Sequence, residues 1–499
     1  MPAKLELSMK SKKAIIIGGG IAGLCAGVYL RKNGFETEIL EMHSIAGGLA
    51  TAWKRSGYTF ENCVHWFVGS KDGEDLNATW KEVFDVGKLQ FHYDPVYQVI
   101  EKGGSNLTIY RDIDRLEEEL LAKAPEDAGE IRQFTRLVRK LSFMKLPGGD
   151  HLVGRLYSYL RAAPYLWRAG KYSKFTMGEY AQRFSNRLLR RFFSSGFKEL
   201  SLLAIAFSLA WMSKGNAGYP IGGSLALIGF IEEQYKKLGG VLRLNTKVER
   251  IIVENGRSVG VILEGGESLM SDVVVSAADG HATIFHFLQG RFLSEKIEKV
   301  FETYKPFPSY IQVSLGIDSD FGDKPGFIAI CLDRPIMIDP KTNADTLSFR
   351  IFNFDPTFAS QGKTAVVCFI PTYNHEYWTS LREGNKSRYA AEKERVAGMA
   401  LEVLEEKFPE AQGKIEVVDV ATPATVIRYT GNWKGSMEGW LYTPSTGIKQ
   451  LPLTLPNLKN FYMIGQWVSP GGGLPSGLVT AREAAKKICR ENRVKFRAS

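Results

Sequence analysis

Glycines near the start of the chain, spaced so that a phosphate group can approach the main chain, carry the first chemical signal in the sequence. Gly18, Gly20 and Gly23 fit the pattern G-x-G-x-x-G and follow the apolar run Lys13–Ile17. In this pattern the first glycine allows a tight turn, the second admits a pyrophosphate, and the third lets a helix pack closely on a strand. Free N–H groups at the helix N-terminus then hold the phosphate charge. The pattern therefore predicts a strand, a turn and a helix over 21–33 that bind a dinucleotide.

An acidic residue at the end of the next predicted strand supports the same site. The strand spans Glu36–Glu41, and Glu41 stands at the position where a carboxylate accepts hydrogen bonds from the ribose hydroxyls of an adenosine. A basic leader before an apolar run is also how an export signal begins. However, the polar segment Arg31–Glu38 occupies the place of a cleavage site. We therefore interpret the stretch as mature structure.

A second glycine pair, Gly47 and Gly48, lies in the loop after Glu41. The resulting signature E-x5-G-G resembles the FAD-binding superfamily that includes amine oxidases, protoporphyrinogen oxidase, and the phytoene desaturase and retinol saturase group. Residues 57–66 resemble the strand that follows in that superfamily. The resemblance implies an extended FAD and assigns its N-terminal contacts to Gly18, Gly20, Ile21, Ala22, Gly23, Glu41, Met42, Gly47, Gly48, Leu49 and Thr51.

The C-terminal end carries a matching motif. Asn460–Gly465 reads as a strand, Gln466–Gly477 as a loop rich in glycine and proline, and Leu478–Cys489 as a helix. The loop resembles the segment that passes beside the flavin ring in phytoene desaturase-like proteins. A helix N-terminus at that place stabilises negative charge on N1 and C2=O of reduced flavin. By this resemblance the FAD site also includes Gly465, Gln466, Gly473, Leu474 and Pro475.

A third piece of the same domain is predicted in the middle of the chain. A helix is expected to follow Pro220 and to end near Leu238, and residues 239–253, 260–263 and 271–279 read as strands. The resemblance implies that the backbone of Val248 meets the adenine. The predicted fold class is α/β, with a Rossmann-like FAD-binding domain of the glutathione reductase type and an α+β substrate domain that contains a mixed sheet and a helical, membrane-associating part. The FAD-binding segments are 11–75, 218–290 and 455–495, and the substrate segments are 76–217 and 291–454.

Length and composition narrow the function further. A chain of 499 residues is long enough for two or three domains, and it has no apolar run long enough to cross a bilayer. The longest apolar run, Leu202–Met212, is expected to be a buried helix. The five cysteines form no C-x-x-C pair, which suits a reducing cytosol and disfavours a flavin disulfide reductase. No metal site is expected, and without a second G-x-G-x-x-G after a strand we expect electrons to pass to or from a quinone, oxygen or a diffusible donor.

Almost all of the net charge of +10 falls in residues 152–198, which contain ten basic residues and one acid, Glu179. The same segment is rich in tyrosine, tryptophan and phenylalanine. Interleaved basic and aromatic side chains suit the surface of an anionic membrane. In the alternative reading the charges lie on a solvated helical face and the rings lie in the core. We expect a cytoplasmic protein, peripheral on a membrane, and no nucleic-acid partner.

Hydride transfer between a C–H bond and flavin N5 leaves one proton to be moved, because desaturation releases a proton and saturation consumes one. His65 is the candidate catalytic residue, although a lone histidine often has a structural role. Arg428, Tyr429 and Trp433 precede a segment that resembles the one before the family's last flavin motif. These three side chains either line the cavity or pack in the core.

The sequence departs from its relatives at three positions. Amine oxidases usually carry arginines where this chain has Ile45 and Leu49, and many FAD proteins carry an acid where it has Gln466. The resemblance therefore favours an FAD-dependent desaturase or saturase that acts on carbon–carbon bonds of a lipophilic polyene or isoprenoid, such as a carotenoid or retinoid. The alternatives are a flavin amine or porphyrinogen oxidase, a redox-neutral carotenoid isomerase, and a membrane-binding protein in which FAD has no catalytic role.

Overall fold

The structure, a computed structural model, describes residues 11–144, 160–165, 167, 169–194, 196–447 and 450–498. Within these ranges the strands are β1 (Lys13–Ile17), β2 (Glu36–Leu40), β3 (Ala52–Arg55), β4 (Tyr58–Glu61), β5 (Phe67–Val68), β6 (Phe91–His92), β7 (Val96–Lys102), β8 (Ser105–Tyr110), β9 (Ala217–Pro220), β10 (Val241–Arg243), β11 (Val248–Glu254), β12 (Arg257–Leu263), β13 (Ser268–Met270), β14 (Val273–Ser276), β15 (Ser309–Ile317), β16 (Phe327–Asp339), β17 (Thr342–Ile351), β18 (Thr364–Thr372), β19 (Ile415–Ala421) and β20 (Phe461–Met463). The α-helices are α1 (Ile21–Lys32), α2 (Asp75–Lys81), α3 (Ile113–Lys123), α4 (Ala128–Ser142), α5 (Met177–Ala181), α6 (Arg187–Ser194), α7 (Leu202–Ser213), α8 (Gly223–Lys237), α9 (Glu295–Thr303), α10 (His375–Gly384), α11 (Lys386–Lys407), α12 (Pro423–Thr430) and α13 (Gly473–Glu491).

A five-stranded parallel sheet, in the order β10-β2-β1-β14-β20, forms the first half of the fold. Its strands come from three separated parts of the chain, and their apolar side chains are buried on both faces, as expected for a parallel sheet covered by helices. Helices α1, α8 and α13 contribute to the core on one side, and residues of β11, β12 and the segment around Ile284 fill the other. The sheet thus places the ends of β1, β2 and β20 at one edge.

A seven-stranded mixed sheet, in the order β19-β15-β18-β17-β16-β7-β8, forms the second half. All neighbours pair antiparallel except β16 and β7, which are parallel. Alternate side chains of β17, among them Leu347, Phe349 and Ile351, pack with α11 in one core cluster. The intervening residues, among them Arg350, point to the opposite face because side chains alternate along a strand. We call this opposite face the inner face, because Tyr310 and Gln312 of β15 there contact residues 61–62 of the first half.

Helices α3, α4, α6 and α7 share a third core cluster with β7 and β8. The predicted buried helix at Leu202–Met212 is present as α7. In the predicted basic and aromatic segment, four rings lie in this core, as the alternative reading expected: Tyr180, Phe184, Phe192 and Phe193. Several cations, among them Arg187 and Arg190, are exposed. Residues 152–159, 166, 168 and 195 of that segment lie outside the described residues.

The predicted α/β fold with a mixed sheet is confirmed, and the domain boundaries stay predictions. Two local expectations are corrected. The C-terminal helix begins at Gly473, not near Leu478, because Pro475 fits a first helical turn, where no N–H needs a partner. The strand expected over 57–66 ends at Glu61, because the Glu61 carboxylate accepts hydrogen bonds from the next three backbone N–H groups and turns the chain. Among the described residues, no helix is long and apolar enough to cross a membrane.

Candidate flavin and active site

The turn between β1 and α1 has the geometry that its glycines predict. Gly18 has a φ of 99°, which side-chain-bearing residues rarely adopt. A Cβ added to Gly23 would lie 1.9 Å from the carbonyl oxygen of Gly18. Only glycine fits at position 23, because the first turn of α1 packs directly on the end of β1. We call residues 18–23 the phosphate loop.

The N-terminus of α1 is open to an anion. Gly20 is the N-cap residue, no side chain caps the helix, and its first turn has no acidic residue. The first N–H groups of a helix have no partner within the helix and carry partial positive charge. The phosphate loop therefore presents unsatisfied donors at a place free of side chains, which fits the pyrophosphate of a dinucleotide.

The second glycine loop, residues 42–51, lies against the phosphate loop. The N–H of Gly47 donates to the carbonyl oxygen of Gly19 over 2.9 Å. The buried Glu41 carboxylate accepts from the N–H of Gly19 at 2.6 Å and from the N–H of His43 at 2.9 Å. Burial raises the pKa of Glu41, and these backbone donors oppose the rise. Glu41 therefore fixes the two loops relative to each other, and its contact with a ribose remains a prediction.

The C-terminal motif lies beside the same turn. A Cβ on Gly477 would lie 2.8 Å from the side chain of Ile21, and a Cβ on Gly465 would lie 3.4 Å from the side chain of Ala22. The N-terminus of α13, which begins after Gly472, also has no side-chain cap. Two open helix N-termini, from opposite ends of the chain, thus stand side by side. This arrangement fits an extended cofactor that carries charge at its phosphates and at its flavin ring.

The remaining predicted cofactor residues surround these loops, and their contacts with FAD stay predictions. Val248 is buried beside Leu40, at the adenosine side. Leu474 packs against both the parallel sheet cluster and the cluster around Tyr58. The others occupy the second glycine loop or the start of the C-terminal motif: Met42, Gly48, Leu49, Thr51, Gln466, Gly473 and Pro475.

Residues 61–66, which we call the connecting segment, join the flavin loops to the mixed sheet. Asn62 donates through Nδ2 to the carbonyl oxygen of Leu49 over 2.8 Å, and it accepts a hydrogen bond from the hydroxyl of Tyr310 on β15. The fully buried Glu61 also accepts from the N–H and hydroxyl of Ser224 at 2.8 and 2.5 Å. The segment is therefore anchored on three sides.

Two titratable side chains of the connecting segment lie in the interior of the protein. Because they keep accessible surface there, we infer a space beside them and call it the interior cavity. Cys63 and His65 lie deep within the protein but keep accessible surface. His65 contacts Phe369 of the inner face edge-on, with ring centroids 5.6 Å apart. Burial and the nearby charge of Arg350 lower the pKa of His65 to about 3. The imidazole of His65, the predicted catalytic residue, is therefore neutral at physiological pH.

Glu438 is an acidic residue of the same region that the sequence did not single out. A Cβ added to Gly472 would lie 2.9 Å from the Cβ of Glu438, and one added to Gly473 would lie 3.7 Å from its Oε1. Among the described residues none donates a hydrogen bond to this carboxylate, and burial raises its pKa to about 7. The available signal was an acid between Met437 and Gly439 in the segment that resembles the family's.

A lateral cavity of about 400 Å³ opens beside the second glycine loop. Gly48, Leu49 and Tyr310 line it, together with two of the predicted cavity residues, Arg428 and Tyr429. The third, Trp433, instead packs in a core cluster with Trp440 and Trp467.

Comparison with known proteins places these features in a family. The pattern of the family described as flavin containing amine oxidoreductase matches residues 21–489. The chain is 25% identical to 4,4'-diapophytoene desaturase (4,4'-diapolycopene-forming) of Methylomonas sp., over 98% of this chain and 97% of that protein. It is 26% identical to the chloroplastic prolycopene isomerase of Daucus carota, over 96% of this chain and 81% of that protein.

Solved structures agree on the fold. An oxidoreductase from Methanosarcina mazei superimposes with a TM-score of 0.58 at 18% identity, covering 94% of this chain and 100% of that one. The matched family pattern begins inside the phosphate loop and ends in α13, so it includes both open helix N-termini. The chain therefore belongs to the flavin-containing amine oxidoreductase family, and its cofactor is FAD.

Proposed function

We propose that this protein is an FAD-dependent oxidoreductase that desaturates or saturates a carbon–carbon bond of a lipophilic polyene or isoprenoid. The observation that carries the proposal is the similarity to a diapophytoene desaturase over 98% of the chain. The interior supports it, because aromatic rings such as Trp66, Phe369 and Tyr97 lie around the connecting segment, beside the flavin motifs. Apolar surroundings of this kind suit the hydrocarbon part of such a substrate.

Bound FAD supplies the two-electron chemistry, taking or giving a hydride at N5. The chain's task is to hold it, with the amides of the phosphate loop at the pyrophosphate and the N-terminus of α13 near the ring. In this proposal, segments 11–75, 218–290 and 455–495 together form the Rossmann-like domain that binds FAD. In desaturation a quinone or oxygen accepts the two electrons, whereas in saturation a reduced quinone or another diffusible donor supplies them.

The proton that accompanies hydride transfer is assigned to Glu438. This carboxyl group lies against Gly472 and Gly473, at the start of α13. No described residue donates a hydrogen bond to it, and it is buried. A group with a pKa near 7 both accepts and donates protons efficiently at physiological pH. His65 is a weaker choice, because its depressed pKa leaves it a poor base.

The test is anaerobic incubation of the purified flavoprotein with a lipid extract, followed by mass spectrometry. The expected result is a product shifted by two hydrogens, together with bleaching or recovery of the flavin absorbance. A product of unchanged mass but altered retention time would instead support isomerisation. In a separate aerobic assay, formation of hydrogen peroxide from oxygen on addition of amines or porphyrinogens would overturn the proposal in favour of the amine or porphyrinogen oxidase reading. A flavin that no lipid, amine or acceptor changes would mean that FAD has no catalytic role.

We also propose that the protein docks on an anionic membrane from which it takes its substrate. Phe143, Leu160 and Trp167 expose 74%, 65% and 68% of their surface, and Lys171 lies 5.1 Å from the ring centroid of Trp167. Exposed large apolar side chains next to cations suit a lipid headgroup region.

This docking is tested by sedimentation with vesicles of phosphatidylglycerol and phosphatidylcholine. Each positive charge near an anionic surface contributes about 1 kcal/mol, so the double change Lys171→Glu with Lys174→Glu is expected to weaken binding tenfold or more. The matched control is Lys296→Glu with Lys299→Glu, two exposed lysines of α9. Equal loss in both variants would mean that only net charge matters and that this surface has no special role.

A further inference from the structure

Two arginines are buried in the substrate half of the molecule without an ion pair. Arg350 on β17 is 4% exposed and Arg111, directly after β8, is 7% exposed. Within the described ranges, no carboxylate lies within 4.0 Å of either guanidinium group. Burying a charge without a partner costs several kcal/mol. Since burial lowers the pKa of both arginines and the charge of Arg111 lowers that of Arg350 further, their common burial needs a compensating group.

The donors around this pair are unsatisfied. Among the residues that the structure describes, the fully enclosed Nε atoms of Arg111 and Arg350 and the hydroxyl of the fully buried Tyr219 have no hydrogen-bond partner. Arg111 uses only Nη1, which donates to the carbonyl oxygen of Ala217 over 2.9 Å. For Arg350 the recorded contacts are with rings, including Phe354 at 5.4 Å and Tyr219 at 5.9 Å from the guanidinium carbon. Buried donors are almost always satisfied in native proteins. Because the Nε atoms and the Tyr219 hydroxyl are fully enclosed, a ligand rich in oxygen acceptors would meet the guanidinium groups through their Nη atoms.

Nearby acids do not fill this role. Asp94 is close enough to favour the charged form of both arginines, but its Oδ1 accepts from the N–H of Val96 at 2.8 Å and it forms no ion pair with them. Asp355 accepts from the N–H of Gly222 and from Thr357. Glu61 is held by Ser224 and the connecting segment. The two guanidinium groups are thus only partly neutralised by the protein.

The position of the pair relates it to the flavin. Arg350 lies on the inner face, beside β18, where Phe369 contacts His65, and its charge contributes to the low pKa of His65. Burial raises the pKa of Tyr97, and the nearby charges of both arginines oppose this rise. The Tyr97 ring packs edge-on against Trp66 of the connecting segment, with ring centroids 5.9 Å apart. The cations therefore lie near the aromatic side chains that surround the connecting segment, on the side of the mixed sheet that faces the flavin motifs.

We propose that Arg111 and Arg350 form a subsite for an oxyanion, so that the substrate is a lipophilic chain that ends in a carboxylate or a phosphate. Two planar guanidinium groups match the paired oxygens of such groups. The aromatic walls hold the adjoining hydrocarbon, and the charged end sets which bond of the chain reaches the flavin. The inference deepens the proposed function by naming the chemistry of one end of its substrate.

The experiment measures equilibrium binding to the holoprotein without turnover. Three probes share one 20-carbon isoprenoid chain: geranylgeranoic acid, geranylgeranyl phosphate and the neutral alcohol geranylgeraniol. Binding is followed by tryptophan fluorescence, and thermal unfolding is recorded with each probe. A hydrogen bond to a charged group corresponds to roughly 10- to 100-fold in affinity, and we expect that preference for an acidic probe over the alcohol. A preference for the acid over the phosphate, or the reverse, identifies the end group.

The test variant is Arg350→Met, which keeps an apolar stem of similar length. It is expected to abolish the preference for acidic probes and, without a probe, to raise the unfolding temperature, because an unpaired buried charge is removed. If Arg350 served only to pack against Phe354 and Tyr219, the same change would lower the unfolding temperature. Arg350→Lys keeps the positive charge but lacks the planar guanidinium donors, and it is expected to retain part of the preference for acidic probes. Arg115→Met, an exposed arginine over Tyr110, is the matched control.

Equal binding of all three probes to the unmodified protein would overturn the inference and would leave the oxidoreductase function standing. Preferential binding of an acidic probe without any flavin reaction of lipids would have the opposite meaning, since the subsite would stand and the proposed function would fail. Because the wild-type comparison needs no variant, misfolding of Arg350→Met leaves the inference open to refutation.

Discussion

The phosphate loop and the interior cavity use opposite means to present chemistry. At residues 18–23 the working groups are backbone amides, and side chains are absent because even a methyl group on Gly23 would lie 1.9 Å from a carbonyl oxygen. Around the interior cavity the working groups are side chains, and among the described residues the Glu438 carboxylate and the Nε of Arg350 are buried without a hydrogen-bond partner. The phosphate loop binds through its main chain alone, whereas the side chains around the interior cavity need a ligand that supplies matching charged or hydrogen-bonding groups.

This difference has a physical reason. A pyrophosphate is the same in every member of the family, so donors fixed by backbone geometry suffice. A substrate end group and a moving proton need groups whose charge can be matched or changed, and desolvation in the cavity makes those groups responsive. These groups lower the stability of the folded protein, because burying an unpaired charge costs free energy.

The largest expected effect is loss of the cofactor on adding one methyl group to the phosphate loop. In Gly23→Ala the new Cβ would collide with the carbonyl oxygen of Gly18, which forces α1 away from β1 and misplaces its amides. We expect the variant to purify without yellow colour. The ratio of absorbance at the flavin band to that of protein, before and after reconstitution with FAD, measures the loss.

The control is Gly229→Ala, on the exposed side of α8, where a Cβ would meet nothing within 4 Å. It is expected to bind FAD normally and to be slightly more stable, by about 0.5–1 kcal/mol, since alanine favours a helix. Full flavin occupancy in Gly23→Ala would show that the loop tolerates side chains, and the contrast drawn above would fail.

The next effect concerns the proton of the cavity. In Glu438→Gln the flavin should remain bound while the catalytic rate falls, on the order of 10²–10⁴-fold, because general acid–base catalysis contributes about that much. In the wild type, burial raises the pKa of Glu438 to about 7. If the carboxylate accepts the proton, the rate rises with pH through about 7; if the acid donates it, the rate falls. Glu438→Gln should flatten the profile.

Stability gives a second readout for the same residue. The unfolded carboxyl titrates near its ordinary value and the folded one near 7, so the folded state binds more protons between these values, and its stability falls as pH rises through them. Above pH 8 the glutamine variant is therefore expected to be more stable than the wild type, by about 1–3 kcal/mol. Below pH 4 the difference should disappear. His65→Asn is the companion control. A larger loss of catalytic rate in that variant than in Glu438→Gln would mean that His65, and not Glu438, transfers the proton.

The sequence alone predicts the phosphate loop well because that structure is local. The limits of β1 match the predicted run Lys13–Ile17, and α1 ends one residue before the predicted Asn33. The start of α13 was placed too late because three glycines concealed a first turn that Pro475 permits. The signal was present, but a run of glycine and proline is more typical of a loop.

The cavity could not be predicted in the same way because distant pairings create it. Arg350 looks like an ordinary charge within Leu347–Ile351, and only the sheet order decides that its side chain points inward. Arg111 reaches the same place through β8, far away in sequence. Glu438 meets the flavin motif through tertiary contact with Gly472. No periodicity in the sequence predicts these tertiary contacts.

The smallest expected effect tests the contact between the second glycine loop and the mixed sheet. The Tyr310 hydroxyl donates to Asn62 Oδ1, and Asn62 in turn holds Leu49 of the second glycine loop. Tyr310→Phe removes this donor and leaves the ring contact with Phe369. Since one buried hydrogen bond contributes about 0.5–1.5 kcal/mol, we expect a loss of unfolding free energy of that size and FAD affinity lower by a few-fold.

Chemical denaturation and flavin titration of the holoprotein measure both quantities, with Tyr93→Phe, an exposed tyrosine, as the control. If the two regions are coupled through Asn62, the loss of stability and the loss of FAD affinity appear together in Tyr310→Phe and in neither quantity for Tyr93→Phe. A loss of stability with unchanged FAD affinity would instead mean that the phosphate loop keeps its shape without help from the mixed sheet. The backbone site would then be self-sufficient, and the contrast with the cavity would become sharper, because only the side-chain site would depend on the rest of the fold.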